Sequence, residues 1–132
     1  MSYITREDLI ESFGQIEIDR LEFNITKSES AEDKAKASQT AAQSASNKVD
    51  SYLGVRYDLP LPSTPDVLKT CVCDVARYLM YKDKPTEEVE NRYKEALSYL
   101  KDLGAGRAKL VFPSVPVADQ GQPYLGSGIF VI

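Results

Sequence analysis

The sequence predicts a mainly α protein: a small helical bundle of one short and three longer helices, with a Gly/Pro-rich extended C-terminal arm able to form short β-strands. Three observations carry this. Apolar residues recur at helical spacing over residues 30–53, 65–81 and 86–104, and each run opens on residues suited to a helix start. Pro60, Pro62 and Pro65 form a stiff break between the first two runs. Residues 104–132 hold five Gly and three Pro and show no helical period. The expected division is a helical domain over residues 1–110 and an arm over 111–132.

The short helix covers residues 5–13. Thr5 is its N-cap, Glu7 and Asp8 place negative charge at the positive end of the helix dipole, and Leu9, Ile10 and Phe13 form its apolar face before Gly14 stops it. Residues 15–27 are mixed. Ile16, Ile18, Leu21, Phe23 and Ile25 alternate in part as a strand would, but the interspersed acids and Asn24 weaken that reading and leave a loop or a second short turn equally open.

The first long helix starts at Ser30, with Glu32 and Asp33 in its first turn. Ala31, Ala35, Ser38, Ala42, Ala45, Val49 and Tyr52 repeat at alternating steps of four and three, a seam of almost entirely small residues. Such a seam allows close approach of a partner helix but buries little area per residue. The helix spans ~36 Å at ~1.5 Å per residue, so the seam either crosses its own domain or reaches another subunit. Ala35, Ala42, Ala45 and Val49 are therefore candidate interface residues.

The next helix has Thr64 as N-cap and Pro65 in its first turn. Leu68, Val72, Val75 and Leu79 form a stripe that Cys71, Ala76, Tyr78 and Met80 widen to most of the circumference, as expected of a central helix. Asp74 and Arg77 are its only mid-helix charges. They stand at i,i+3 and can pair with each other, or with Asp50 and Arg56, as a packing ion pair. The last helix is capped by Thr86, carries Val89, Tyr93, Ala96, Leu97, Leu100 and Leu103 as its apolar stripe, and stops at Gly104. In the arm, 109–112 and 129–132 read as short strands. Leu125, Ile129, Phe130, Val131 and Ile132 are candidate interface residues, because an apolar β-prone end invites strand addition or folds back on its own bundle.

Composition narrows the function. With 132 residues, 42% hydrophobic and 27% charged, the chain is one ordinary globular domain. A net charge of −4 disfavours general nucleic-acid or acidic-membrane binding, since counterion release needs a basic surface. Neither a leader peptide nor an apolar run near the length of a membrane span stands out, so a cytosolic origin without membrane association is expected. The chain has no histidine, which removes the usual neutral-pH base and the Ser-His and Cys-His nucleophile pairs. Cys71 and Cys73 point to different helix faces and read as small buried hydrophobes; with no other Cys and no His, no zinc set exists. The segment Gly104-Ala105-Gly106-Arg107 lacks the spacing and the Lys-Ser/Thr of a phosphate loop. No catalytic residue, cofactor or metal is expected.

One set of short motifs, in order, resembles a known family: Met1-Ser2-Tyr3-Ile4-Thr5, Phe13-Gly14, Val49-Asp50-Ser51-Tyr52-Leu53, Arg56-Tyr57, Leu59-Pro60-Leu61, Asp74-Val75-Ala76-Arg77-Tyr78, Pro85-Thr86-Glu87-Glu88-Val89, Arg92-Tyr93 and Ala96-Leu97-Ser98-Tyr99-Leu100. Over residues 1–110 the chain is similar to small Mu-like phage and prophage proteins regarded as head–tail connector (adaptor) proteins. The resemblance implies a small helical fold without enzymatic activity. It implies a homo-oligomeric ring at the head–tail junction of the virion, made from subunits that wait in the host cytoplasm. The implied partners are the portal protein and neck or tail-completion proteins, with DNA only as passing cargo. Two rival classes stay open: a small helical regulatory or DNA-binding protein, which the charge disfavours, and an enzyme using carboxylates or Lys, whose sign would be a buried, unpaired carboxylate in a pocket.

Overall fold

A computed structural model describes residues 2–82 and 84–112. It contains five helices in the order α1 (Arg6–Phe13), α2 (Gln15–Thr26), α3 (Ala31–Leu53), α4 (Asp66–Tyr81) and α5 (Glu87–Ala105), with no strand among the described residues. The mainly α bundle is as expected, with one helix more than the sequence reading allowed. The expected strand over 129–132 and candidate interface residues Leu125, Ile129, Phe130, Val131 and Ile132 lie outside the described residues.

The added helix is α2. Residues 15–27 were expected to be a weak strand, a loop or a short turn, and twelve of them form a helix instead. Ile18, Leu21 and Glu22 are buried and Ile25 half-buried, whereas Ile16 and Phe23, which supplied the apparent alternation, point outward. The inward set has helical spacing, so burial against α3 and α4 decides the conformation. Lys27 ends the helix in the left-handed region at φ 56°.

The expected caps form elsewhere. The Thr5 hydroxyl accepts from the Asp8 N–H while Asp8 accepts from the Thr5 N–H, a reciprocal capping box; Ser30 and Thr86 accept from the Asp33 and Val89 N–H groups. Gly14 closes α1 at φ 96°. Two boundaries shift. Helix α4 begins at Asp66 with Pro65, not Thr64, at its N-cap, and α5 runs through Gly104 to end at Gly106, whose φ is 81°. Gly104 instead serves close packing: a Cβ there would stand 3.1 Å from the Tyr52 carbonyl oxygen.

Helix α3 is the hub, packing against all four other helices. Ser38, Ala42, Ala45, Ser46, Val49 and Leu53 are buried along it, so the small-residue seam closes inside the domain. Of the two readings of the seam, the one within the domain is the one seen: the candidate interface residues Ala42, Ala45 and Val49 are buried against helices of their own chain. Small side chains admit backbones on several sides, and the neighbours that enter belong to the same chain. Ala35 is half-buried, and the first two turns of α3, residues 31–37, hold no buried residue.

Helix α4 runs back along α3, buries nine of its sixteen residues, and packs on α5 as well. Cys71 and Cys73 are buried free thiols, and burial pushes Cys71 up to about 12 and Cys73 up to about 11. Tyr78 on α4 stacks on Tyr93 of α5, with ring centres 3.8 Å apart and planes 5° from parallel. Beyond α5, residues 109–112 form no strand. The Leu110 N–H donates to the Tyr57 hydroxyl at 3.0 Å and the Leu110 side chain enters the core, which ties this segment to the C-terminal end of α3.

Candidate functional site

Because α2 is a helix, it brings two carboxylates to the interior. Glu17 Oε2 accepts from Arg77 Nε at 2.7 Å and from the Tyr81 hydroxyl at 2.9 Å, and its Oε1 accepts from Arg77 Nη2 at 3.1 Å. The Arg77 guanidinium lies 4.3 Å above the centre of the Phe13 ring, a cation–π contact that uses the end of α1 as a floor. Glu88 on α5 stands 3.5 Å from Arg77 Nη2 and 3.5 Å from Arg92 Nη1, and Arg92 Nε reaches Asp74 Oδ1 at 3.2 Å. Alternating charges thus run from α2 across α4 to α5.

The electrostatics follow the contacts. Burial alone would raise the Glu17 carboxyl, but the Arg77 and Tyr81 hydrogen bonds and the Arg77 charge bring it below the usual carboxylate range. Burial opposes the Arg77 cation, and the Glu17 hydrogen bond and charge outweigh it, so its pKa rises. Asp74 goes the other way. Burial raises it, and the attraction of Arg92 and Arg77 offsets this only in part. The geometry gives the reason: Arg92 Nε lies within ion-pair distance of Asp74 Oδ1 but makes no hydrogen bond to it, and that buried oxygen has no hydrogen-bond donor.

A second network joins α1, α2 and α3. Glu22 is 0% exposed, yet Arg6 grips it with both prongs, Nε to Oε2 at 2.7 Å and Nη2 to Oε1 at 2.9 Å, and the Ser38 hydroxyl donates to Oε2. A third network ties down the chain start. The Tyr3 hydroxyl donates to Asp50, and the Tyr3 N–H donates to Ser46 Oγ at 2.9 Å. Burial and the Asp50 carboxylate raise the Tyr3 phenol well above its ordinary value.

The four residues expected to form one packing ion pair are therefore not brought together. Asp74 and Arg77 do anchor packing, but through Arg92 and Glu17 respectively, and they make no ion pair with each other. Asp50 takes the Tyr3 hydroxyl, and the Arg56 guanidinium packs over Gly106, 2.8 Å from where a Cβ would stand. Glu88 and Arg92, at i,i+4 spacing, form an ion pair as the sequence suggests, whereas sequence reasoning missed Arg6, Glu17 and Glu22 and the contacts of Phe13 with Arg77 and of Arg92 with Asp74. One signal for two of them was present: Glu22 sits inside the helical spacing of Ile18, Leu21 and Ile25, and Glu17 sits one residue from it. Glu22 and Asp74, the buried carboxylates, line none of the grooves described here. Among the described residues no cluster of His, Cys, Asp or Glu could hold a metal ion, and no helix is long and apolar enough to cross a membrane.

The order of these elements along the chain can be compared with known proteins. The profile of the family described as "Bacteriophage Mu, Gp36" matches residues 3–124. The chain belongs to the bacteriophage Mu Gp36 family. It is 33% identical over 108 residues to the "Mu-like prophage FluMu protein gp36" of Haemophilus influenzae, a match covering 82% of this chain and 74% of that protein. It is 32% identical over 110 residues to "Gene product J" of Escherichia phage Mu, covering 81% of this chain and 74% of the relative. It is thus a Mu-like phage protein. The Gp36 match takes in all five helices and all three charged networks, and it continues past the last described residue into the arm.

Proposed function

We propose that this Gp36-family protein is a structural, non-enzymatic head–tail connector subunit. Copies form a closed ring at the head–tail junction of the virion, between the portal and the neck or tail-completion proteins, and DNA passes only as cargo. Before assembly the subunits reside in the host cytoplasm. The observation that carries this reading is family membership over residues 3–124, from Tyr3 in the N-terminal network to the arm. The networks support it, because the charged side chains of the interior are spent on holding helices to one another. A ring subunit requires such rigidity, since the same heterologous contact must repeat at a fixed angle until the ring closes.

The test combines genetics with mass measurement. Phage carrying a premature stop in this gene should yield filled heads and free tails that do not join, and the protein should be present in purified wild-type particles. Native mass spectrometry of the protein mixed with its portal should show a ring-sized assembly. Joined, infectious particles lacking the protein would overturn the proposal.

A further inference from the structure

Between α2, α3 and α4 the bundle leaves an apolar groove of about 430 Å³, floored by Ile25, Ala37, Ala41, Leu79 and Met80. A second groove of about 420 Å³ shares Ile25, Met80 and Lys82 with it, so the two form one continuous trough. Its size falls within the range of pockets that bury most of a small apolar ligand. Its rim is cationic. Arg20, Lys27, Lys36, Lys82 and Lys84 are all exposed, and none is in an ion pair among the described residues. The acid at the edge, Asp33, already accepts from the Ser28 hydroxyl at 2.9 Å, and its N–H donates to the Ser30 hydroxyl. Lys27 and Lys82 both hold φ near 56°, a backbone region that favours glycine.

We infer that this trough is the docking site of the chain's own residues 129–132, Ile129-Phe130-Val131-Ile132. Three features of the molecule select that occupant. The first is chemistry, since the four residues are wholly apolar and match the floor. The second is charge. Between residues 113 and 132 the only side chain charged at neutral pH is Asp119, so the segment brings a negative charge and no positive one to a cationic rim. The third is reach. The described chain ends at Phe112, and Leu110 is fixed to Tyr57 beside the C-terminal end of α3. Along α3 the trough begins at Ser44 and extends to Asp33, at most ~30 Å from Leu53 at ~1.5 Å per residue. Residues 113–128 can span up to ~53 Å at ~3.3 Å per residue, enough to pass around the bundle and enter the trough from either end. A tether of this length gives the segment an effective concentration in the millimolar range at its own trough, far above that of a second copy at micromolar protein.

This inference stands whether or not the protein is a ring connector. Its test places the photo-crosslinker p-benzoylphenylalanine at Phe130 of the full chain and maps the products by mass spectrometry. A mixture of isotopically heavy and light protein separates links within a chain from links between chains. The expected products join Phe130 to residues 37–44 or 79–82 of the same chain. Filling the trough with Thr40→Trp, at an exposed position, should lower the yield of those products at least tenfold with unchanged helicity. If Thr40→Trp disturbs the fold, Lys82→Glu on the exposed rim takes its place and should also lower the yield. Products elsewhere on the bundle, products joining heavy to light chains, no product, or a yield indifferent to the variants would each overturn the inference.

Discussion

Arg6→Ala is the most informative single perturbation, because it leaves a fully buried carboxylate with one of its three hydrogen bonds. Glu22 is 0% exposed and receives two guanidinium hydrogen bonds from Arg6 and one hydroxyl from Ser38. Removing one partner of a buried ion pair costs about 3–5 kcal/mol, mostly as the penalty of the charge left behind. The Arg6 side chain is 25% exposed, so water can enter the vacated space, and the low end, about 3 kcal/mol, applies. An unfolding entropy of about 2.1 cal/mol/K per residue gives roughly 0.28 kcal/mol/K for a chain of this size, so the melting temperature should fall by about 11 °C. Thermal and urea denaturation followed by circular dichroism measure this directly. The paired substitution Arg6→Met with Glu22→Leu removes both charges, lets the Ser38 hydroxyl turn to a carbonyl of its own helix, and should recover most of the loss. A fall under about 1 kcal/mol for Arg6→Ala, or a paired variant no better than the single one, would refute the assignment of Arg6 as the partner that makes Glu22 tolerable.

Other consequences follow from packing and charge. Ala45→Leu places extra volume at a fully buried hub position and should cost about 1–3 kcal/mol in the isolated monomer, measurable by urea titration, before any assembly is considered. Glu17 and Asp74 make opposite contributions to the pH dependence of stability. The Glu17 pKa is lowered on folding, so its stabilisation is fully present above the unfolded carboxylate value and is lost as pH falls through the folded one. The Asp74 pKa is raised, so stability falls as pH rises from the unfolded to the folded value; Asp74→Asn should therefore leave stability at neutral pH equal or higher, whereas Glu17→Gln should lower it. Gly106→Ala forces an L side chain to φ 81° against the Arg56 guanidinium and should cost about 1–2 kcal/mol in a melting experiment. Cys71 and Cys73 should resist iodoacetamide at pH 8 in the native protein and react on unfolding, since burial keeps both as neutral thiols.

What the sequence made legible was local. Thr5, Ser30 and Thr86 announced helix starts because a capping side chain bonds within its own first turn. The all-round apolar character of α4 announced its central place. What it hid was relational. Helix α2 was obscured because Glu17 and Glu22 look like surface acids until Arg77 and Arg6 meet them, and those contacts depend on how α2 is turned against helices up to 60 residues away. The Ala and Ser positions of α3 said that something approaches closely, but small side chains carry no information about which chain it belongs to.

That thinness of α3 has a consequence for the outer dimensions of the molecule. Interaxial distances between packed helices range from ~8 to ~10 Å according to the side chains between them, and buried residues as small as Ala42 and Ala45 favour the short end of that range. The small residues of one internal rod therefore set how wide the whole bundle is. In the ring proposed above, width at a given radius would be an angle, so one added methylene on α3 would change the wedge available to each copy.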